Sequence, residues 1–160
     1  MRILGIDPGS LHLGLACIEK DGSRVRLVSA IVLSAPKKDS FYDRLGLLHG
    51  ELLAHIAASG AREVAIEGIF FSKNPRSAVQ LGMARGIAIA ACLSHSLTIH
   101  EYAPAAVKAA VTGSGRADKD QIRKMVELIV GQRIDARHDA TDALAVAICH
   151  ASAPKRFASL

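Results

Sequence analysis

The change of hydrophobic period after residue 33 constrains the fold more than any other feature of this sequence. Three closely spaced β-rich runs come first, at 2–7, 14–19 and 24–33, and an Asp-Gly turn signal separates the last two. Helical spacing then alternates with short apolar runs at 63–67 and 98–102. This order predicts an α/β domain in which an antiparallel meander and later parallel strands form one mixed sheet flanked by helices.

Helical periodicity and capping residues predict five helices. The first lies between Ser40, a favourable N-cap residue, and Gly60, which suits the position after a helix. The second is an apolar helix over 75–96 that tolerates two glycines. The remaining three begin at Pro104, after Asp118 and at Asp139.

Length and composition predict one domain that folds without disulfides or structural metals. The chain has 160 residues, half of them hydrophobic and 22% charged, so we expect one domain over 1–153 and a short tail over 154–160. The first apolar run ends at Asp7, too early for a secretory signal, and the most apolar helical stretch, 86–94, is too short to cross a bilayer. We therefore expect a cytoplasmic protein with no membrane partner. A formal charge of +5 favours a polyanionic partner.

Four carboxylates stand at the ends of predicted elements. Asp7 and Glu67 each end an apolar strand, and Asp139 and Asp142 lie three residues apart at the start of the last helix, on one face. Taken singly, each has an ordinary structural explanation: a turn for Asp7, a salt bridge for Glu67 and helix capping for the pair. Four such acids at element ends are harder to explain by four separate accidents.

Oxygen-only ligands predict a hard cation. Mg²⁺ or Mn²⁺ suits four carboxylates, whereas zinc does not. With two ions roughly 4 Å apart, one activates a water molecule and the other stabilises the leaving oxygen of a phosphodiester. The residues therefore suggest metal-dependent phosphodiester hydrolysis.

The sequence resembles the RuvC Holliday junction resolvases, a branch of the ribonuclease H-like fold. The resemblance covers nearly the whole chain, from the first strand to the last helix. It is carried by the segments Gly5-Ile6-Asp7-Pro8-Gly9, Ile66-Glu67 with Phe70 and Lys73-Asn74, Gln80-Leu81-Gly82-Met83-Ala84-Arg85-Gly86, Val107-Lys108 and Asp139-Ala140-Thr141-Asp142-Ala143-Leu144.

The resemblance implies an endonuclease that cuts four-way DNA junctions during recombination and repair, and that works as a homodimer beside a branch-migration helicase. The four acids would be its metal-binding catalytic residues. Phe70 would stack on bases at the crossover, although an ordinary core position is a rival explanation. The residues implied at the DNA backbone, as family matches or neighbours in the same loops, are Lys73, Arg76, Lys108, Arg116 and Lys119.

Gly68 and Phe71 depart from the residue types expected beside the aromatic position, which bears on junction opening and sequence preference. His138 could tune metal binding or cap the last helix, so it stays outside the catalytic set, and we interpret His12 and His150 as incidental.

Three rival functions remain at this stage. The first strand and turn also resemble the phosphate loop of the actin and sugar kinase ATPases, but the second phosphate loop of that superfamily is missing from the sequence. A junction-binding module without catalysis would not need all four acids. A ribonuclease H-like enzyme acting on RNA hybrids is disfavoured by the matches at Phe70 and Lys108.

Dimerisation also follows from the substrate, because two symmetric nicks in a two-fold symmetric junction require two equivalent active sites. The candidate interface is the predicted apolar helix 75–96, which carries small residues at Gly82, Ala84, Gly86, Ala88 and Ala90. Burial of the same small residues within one subunit is an equal alternative.

Overall fold

A five-stranded mixed sheet forms the centre of the protein. The structure is a computed structural model, and it describes residues 1–68, 74–134 and 138–153. The predicted tail, 154–160, and two of the predicted DNA-contacting residues, Phe70 and Lys73, lie outside the described residues.

The sheet has the order β3-β2-β1-β4-β5. Strands β1, β2 and β3 form an antiparallel meander, while β4 pairs parallel with β1 and β5 pairs parallel with β4. The predicted mixed sheet is thus confirmed, and the second strand is two residues longer at each end than predicted. The strands are β1 (Arg2–Asp7), β2 (His12–Asp21), β3 (Arg24–Ser34), β4 (Glu63–Glu67) and β5 (Thr98–Tyr102).

The five predicted helices are present with the expected caps. Ser40 accepts a hydrogen bond from the Asp43 amide at the first helix, and Gly60 ends that helix with φ of 64°. Asp118 and Gln121 form a reciprocal capping box. The second helix ends two residues earlier than predicted. The helices are α1 (Phe41–Ser59), α2 (Pro75–Ser94), α3 (Pro104–Thr112), α4 (Lys119–Val130) and α5 (His138–Ser152).

Two hydrophobic cores lie on opposite faces of the sheet. Alternation along β1 sends Ile3 to the core formed with α3, α4 and α5, and sends Leu4 and Ile6 to the core formed with α1 and α2. Asp7 and Gly5 have the same parity as Ile3, so they lie on the α5 side. The α5 face of the sheet therefore carries the first predicted acid.

Two glycines allow α5 to approach the sheet closely. A Cβ atom on Gly5 would lie 2.0 Å from the carbonyl oxygen of Ala143, and one on Gly14 would lie 1.9 Å from the carbonyl oxygen of Asp139. Both distances are far below any van der Waals contact, so only glycine permits this packing. The start of α5 is thus seated directly against β1 and β2.

Helix α2 is the one helix in the described parts of the chain that is long and apolar enough to span a membrane by length and composition. It extends from the apolar stretch 86–94 back to Pro75, and so includes Arg85. The buried Arg85 side chain pairs with Glu101 of β5. One side of α2 packs inside the domain through Ala84, Ala88 and Ala91. Ala88 and Ala91 belong to the hydrophobic core that contains Leu4 and Ile6.

Candidate active site

The parallel pairing of β1 with β4 brings the first two acids to one edge of the sheet. The last paired residues are Ile6 and Ile66, and the next position on each strand is Asp7 and Glu67. Because the strands run in the same direction, both carboxylates leave the sheet at its carboxyl edge. This register places the two strand-end acids on adjacent strands at the same level of the sheet.

Helix α5 brings the other two acids to the same edge. Gly14 is the β2 residue opposite Asp7, and the backbone of Asp139 rests on Gly14. Asp142 lies one turn further along α5 and is only partly exposed. The four carboxylates are close enough for the charges of Asp142, Glu67 and Asp139 all to act on Asp7.

The crowding of these acids makes full ionisation unfavourable. Burial, followed by repulsion from Asp142, Glu67 and Asp139, raises the pKa of Asp7 from 3.8 to about 7. Burial also raises the pKa of Glu67, with Asp142 adding to the effect, and burial raises the pKa of Asp142. A divalent cation would remove this repulsion, so the donor set fits a hard metal ion.

Two predicted lysines face the acidic cluster. Lys119, the first residue of α4, places its Nζ atom 3.7 Å from Oδ2 of Asp142, and its charge offsets part of the rise that burial causes in the pKa of that carboxyl. Burial raises the pKa of Glu67, and the charges of Lys108 on α3 and Lys119 both offset part of that rise. The two lysines therefore form a basic margin beside the carboxylates.

Arg85 of α2 contacts the last residue of β4. Its guanidinium donates one hydrogen bond to the backbone carbonyl of Glu67 and a second, at 2.7 Å, to Oε2 of Glu101. Arg85 is only 8% exposed, and its charge offsets part of the rise that burial causes in the pKa of Glu67. Sequence reasoning placed Arg85 in a family motif but did not assign this contact.

The other predicted DNA contacts are less directly tied to the acids. Arg76 is exposed in the first turn of α2, where Asn74 accepts a hydrogen bond from its amide. Arg116 is exposed in the loop between α3 and α4 and lines a groove with Gln121 and Lys124. Within the described ranges, neither arginine forms an ion pair with the four acids.

The three histidines singled out in the sequence lie in different surroundings. His138 is exposed, and its charge acts on Asp142, so it remains at the margin of the site. His12 lies 3.0 Å from the Ser34 hydroxyl. His150, interpreted from the sequence as incidental to the carboxylate site, is buried, and its two nitrogens contact Tyr102 and Glu63, each at 2.6 Å.

The sheet order and its covering helices define an α/β protein of the ribonuclease H-like fold, with a carboxylate site at the edge of β1, β4 and α5. The family model described as "Crossover junction endodeoxyribonuclease RuvC" matches residues 3–150. The chain belongs to this family of nucleases, whose members are metal-dependent.

Individual relatives agree with this membership. The chain is 45% identical over 150 residues to the crossover junction endodeoxyribonuclease RuvC of Halorhodospira halophila, covering 94% of this chain and 89% of that protein. The structure of Thermus thermophilus RuvC superposes with a TM-score of 0.83 at 32% identity, covering 95% and 94% of the two chains. T. thermophilus RuvC in complex with a Holliday junction substrate gives 0.85 at 29% identity, with the same coverage.

Proposed function

We propose that the protein resolves four-way DNA junctions by metal-dependent hydrolysis of two symmetrically placed phosphodiesters. The observation that carries this proposal is the convergence of Asp7, Glu67, Asp139 and Asp142 on one sheet edge in a member of this nuclease family. The T. thermophilus complex with a Holliday junction supports the choice of substrate.

We assign the metal as Mg²⁺, with Mn²⁺ as an alternative, in a site for two ions held by the four carboxylates. Oxygen-only donors favour these hard cations, and the raised pKa of Asp7, caused by burial and three neighbouring acids, marks an excess of negative charge that a cation balances. Ions bound there would activate water and stabilise the leaving oxygen of the phosphodiester.

The residues around the acids hold the DNA. Lys108 and Lys119 would neutralise phosphates next to the scissile bond, since both already lie in the field of the carboxylates. Arg76 and Arg116 would extend this basic margin along the backbone. From the family resemblance we also assign Lys73 to the backbone and Phe70 to stacking on a base at the crossover, and both lie outside the described residues.

We propose a two-fold symmetric homodimer formed through α2. Gly82, Gly86 and Ala90 repeat at intervals of four and are exposed, while Ala84 and Ala88 pack inside the subunit. The two explanations offered for the small residues thus apply to different faces of the helix. Exposed apolar side chains flank the open face, which suits burial against a second copy: Val79, Leu81, Met83 and Leu93.

The dimer is tested by Gly86→Glu. No atom lies within 4 Å of a Cβ atom at Gly86, so the larger residue fits the isolated subunit. We expect it to convert the dimer to a monomer in sedimentation equilibrium, because symmetry would place two like charges close together. Leu128→Glu, at an exposed site on α4, is the matched control and should remain dimeric. A Gly86→Glu protein that stays dimeric would move the interface elsewhere.

The cellular assignments rest on the family resemblance. We infer that the protein acts in the cytoplasm on chromosomal DNA and receives its junctions from a branch-migration helicase. The basic charge of +5 suits DNA.

The deciding experiment is cleavage of a synthetic four-way junction, with linear duplex and an RNA–DNA hybrid as controls, in Mg²⁺, Mn²⁺ or EDTA. We expect paired nicks that require metal and are lost in Asp142→Asn. Asp120→Asn, an exposed acid in the first turn of α4, is the matched control and should cut normally.

The alternatives give distinct results in the same assay. Junction binding without cutting in any metal would identify a binding module that lacks catalysis. Cutting of the hybrid alone would identify a ribonuclease H-like enzyme of different specificity. Either result would overturn the resolvase assignment.

A further inference from the structure

A buried polar cluster lies on the α5 face of the sheet, away from the carboxylate edge. Glu63 begins β4, His100 lies in the middle of β5, and His150 is near the end of α5. Glu63 is four residues before Glu67, a separation of about 13 Å along a strand. The cluster is therefore a separate feature from the active site.

The donor atoms of these three side chains converge. One ligand atom from each lies within 4.8 Å of the other two. Nε2 of His150 is 2.6 Å from Oε2 of Glu63, and Nε2 of His100 is 3.9 Å from the same oxygen. Donor atoms around a tetrahedral zinc ion lie about 3.3 Å apart, so small side-chain rotations would bring all three to one ion.

The surroundings of His150 match those of a metal-bound imidazole. In the structure Nε2 of His150 donates to Glu63, and the Tyr102 hydroxyl, 2.6 Å from Nδ1, donates to that nitrogen. When an ion takes the place of the Nε2 proton, the hydroxyl can accept from Nδ1–H instead. Burial raises the pKa of Tyr102, so the phenol stays neutral. The rings of His100 and His150 stack with centroids 4.2 Å apart, which holds both imidazoles beside the carboxylate.

We propose that Glu63, His100 and His150 form a second metal site, which binds a divalent cation of the zinc class. Two imidazoles and one carboxylate favour such an ion, whereas the all-carboxylate edge favours Mg²⁺. Both histidines are 7% exposed, while the Glu63 side chain is 32% exposed and gives the ion an entry path and a place for a water ligand. The bound ion links β4, β5 and α5, the elements that carry or flank three of the four acids.

The test uses the purified full chain, stripped of metal by a chelator, with Zn²⁺ as the probe. At a hundredfold excess over Kd, we expect Zn²⁺ to raise Tm by roughly 5–10 °C. Co²⁺ in the same site should give the visible absorption of a four- or five-coordinate ion with nitrogen ligands. An all-oxygen, six-coordinate site absorbs much more weakly.

Single substitutions assign the signal. Glu63→Gln and His100→Gln should abolish the Co²⁺ absorption and the Zn²⁺ shift in Tm, and Glu63→Gln decides alone if the buried His100 change prevents folding. His49→Gln on α1 is the matched control and should keep both signals. Asp7→Asn, which alters the carboxylate edge, should also keep both.

Three results would overturn the proposal: no saturable binding by the unaltered chain, retention of the signal in Glu63→Gln, or its loss in Asp7→Asn. None of these bears on junction cleavage, so the zinc-class site and the proposed nuclease function fail or stand separately.

Discussion

Replacing Gly14 by alanine tests whether the packing of α5 on the sheet sets the geometry of the active site. A Cβ atom there would lie 1.9 Å from the Asp139 carbonyl oxygen, whereas ordinary contact begins at 3.4 Å. The start of α5 or the facing part of β2 must therefore move by about 1.5 Å, because the interior is too tightly packed to absorb the overlap. That movement carries Asp139 and Asp142 away from Asp7, the strand partner of Gly14.

The expected effect is larger on catalysis than on folding. Overpacking of this kind costs about 1–3 kcal/mol of unfolding free energy, or roughly 2–4 °C in Tm per kcal/mol. A misplacement of about 1 Å in a catalytic group lowers the rate by about 100-fold. Single-turnover cleavage of a four-way junction, measured well below Tm and beside junction affinity in EDTA, separates the two effects.

Gly46→Ala is the matched control. Gly46 lies in α1, and no atom lies within 4 Å of the position that an added methyl group would take, so alanine there should stabilise the helix by about 0.5–1 kcal/mol and leave cleavage unchanged. A folded Gly14→Ala protein that cuts at the normal rate would refute the idea that this contact positions the carboxylates. Equal losses in affinity and rate would place the defect in DNA binding instead.

Three further predictions concern charge. The pKa of Asp7 is about 7 in the folded chain against an ordinary 3.8, so the free energy of unfolding without metal should fall as pH rises from 4 to 7. In EDTA, Asp7→Asn should have a higher Tm than the unaltered chain at pH 8 and lose that advantage near pH 4. Equal Tm values at pH 8 would contradict this prediction. Lys119→Ala should reduce the slope of log DNA affinity against log salt concentration by about one. Arg24→Ala, in the hairpin between β2 and β3, should leave the slope unchanged. An unchanged slope in Lys119→Ala would show that Lys119 does not contact DNA. Arg85→Met should lower the free energy of unfolding by denaturant by about 1–3 kcal/mol and slow cleavage. If Arg85 and Glu101 act as a pair, adding Glu101→Gln to the Arg85→Met protein should lower stability little further. Fully additive losses in the double variant would refute the coupling.

The carboxylate edge could be predicted because its signals are local. Asp7 and Glu67 each end an apolar strand, and the spacing of Asp139 and Asp142 fixes a shared helix face whatever the rest of the fold does. Arg85 could not be assigned in the same way. Its role depends on how closely α2 approaches the end of β4, which no pattern within α2 specifies.

The buried cluster escaped sequence reasoning because its members come from three distant parts of the chain. Glu63 and His150 are 87 residues apart, and the parallel register of β4 and β5 sets His100 beside Ala65, two residues from Glu63. In sequence, His100 is one polar residue in a short strand, and His150 is one polar residue near the end of a helix. The proximity of the three side chains depends on the register of β4 and β5 and on how α5 packs across the sheet, and both are tertiary properties.

Helix α5 contacts both the carboxylate edge and the cluster of Glu63, His100 and His150. Its first turn is seated on Gly14, while near its end His150 contacts Glu63 and the Lys20 ammonium donates to the Ala151 carbonyl. The eleven-residue rise from Asp139 to His150 spans about 16 Å of regular helix. Contacts at both ends of α5 therefore hold this helix, and with it Asp139 and Asp142, against the sheet.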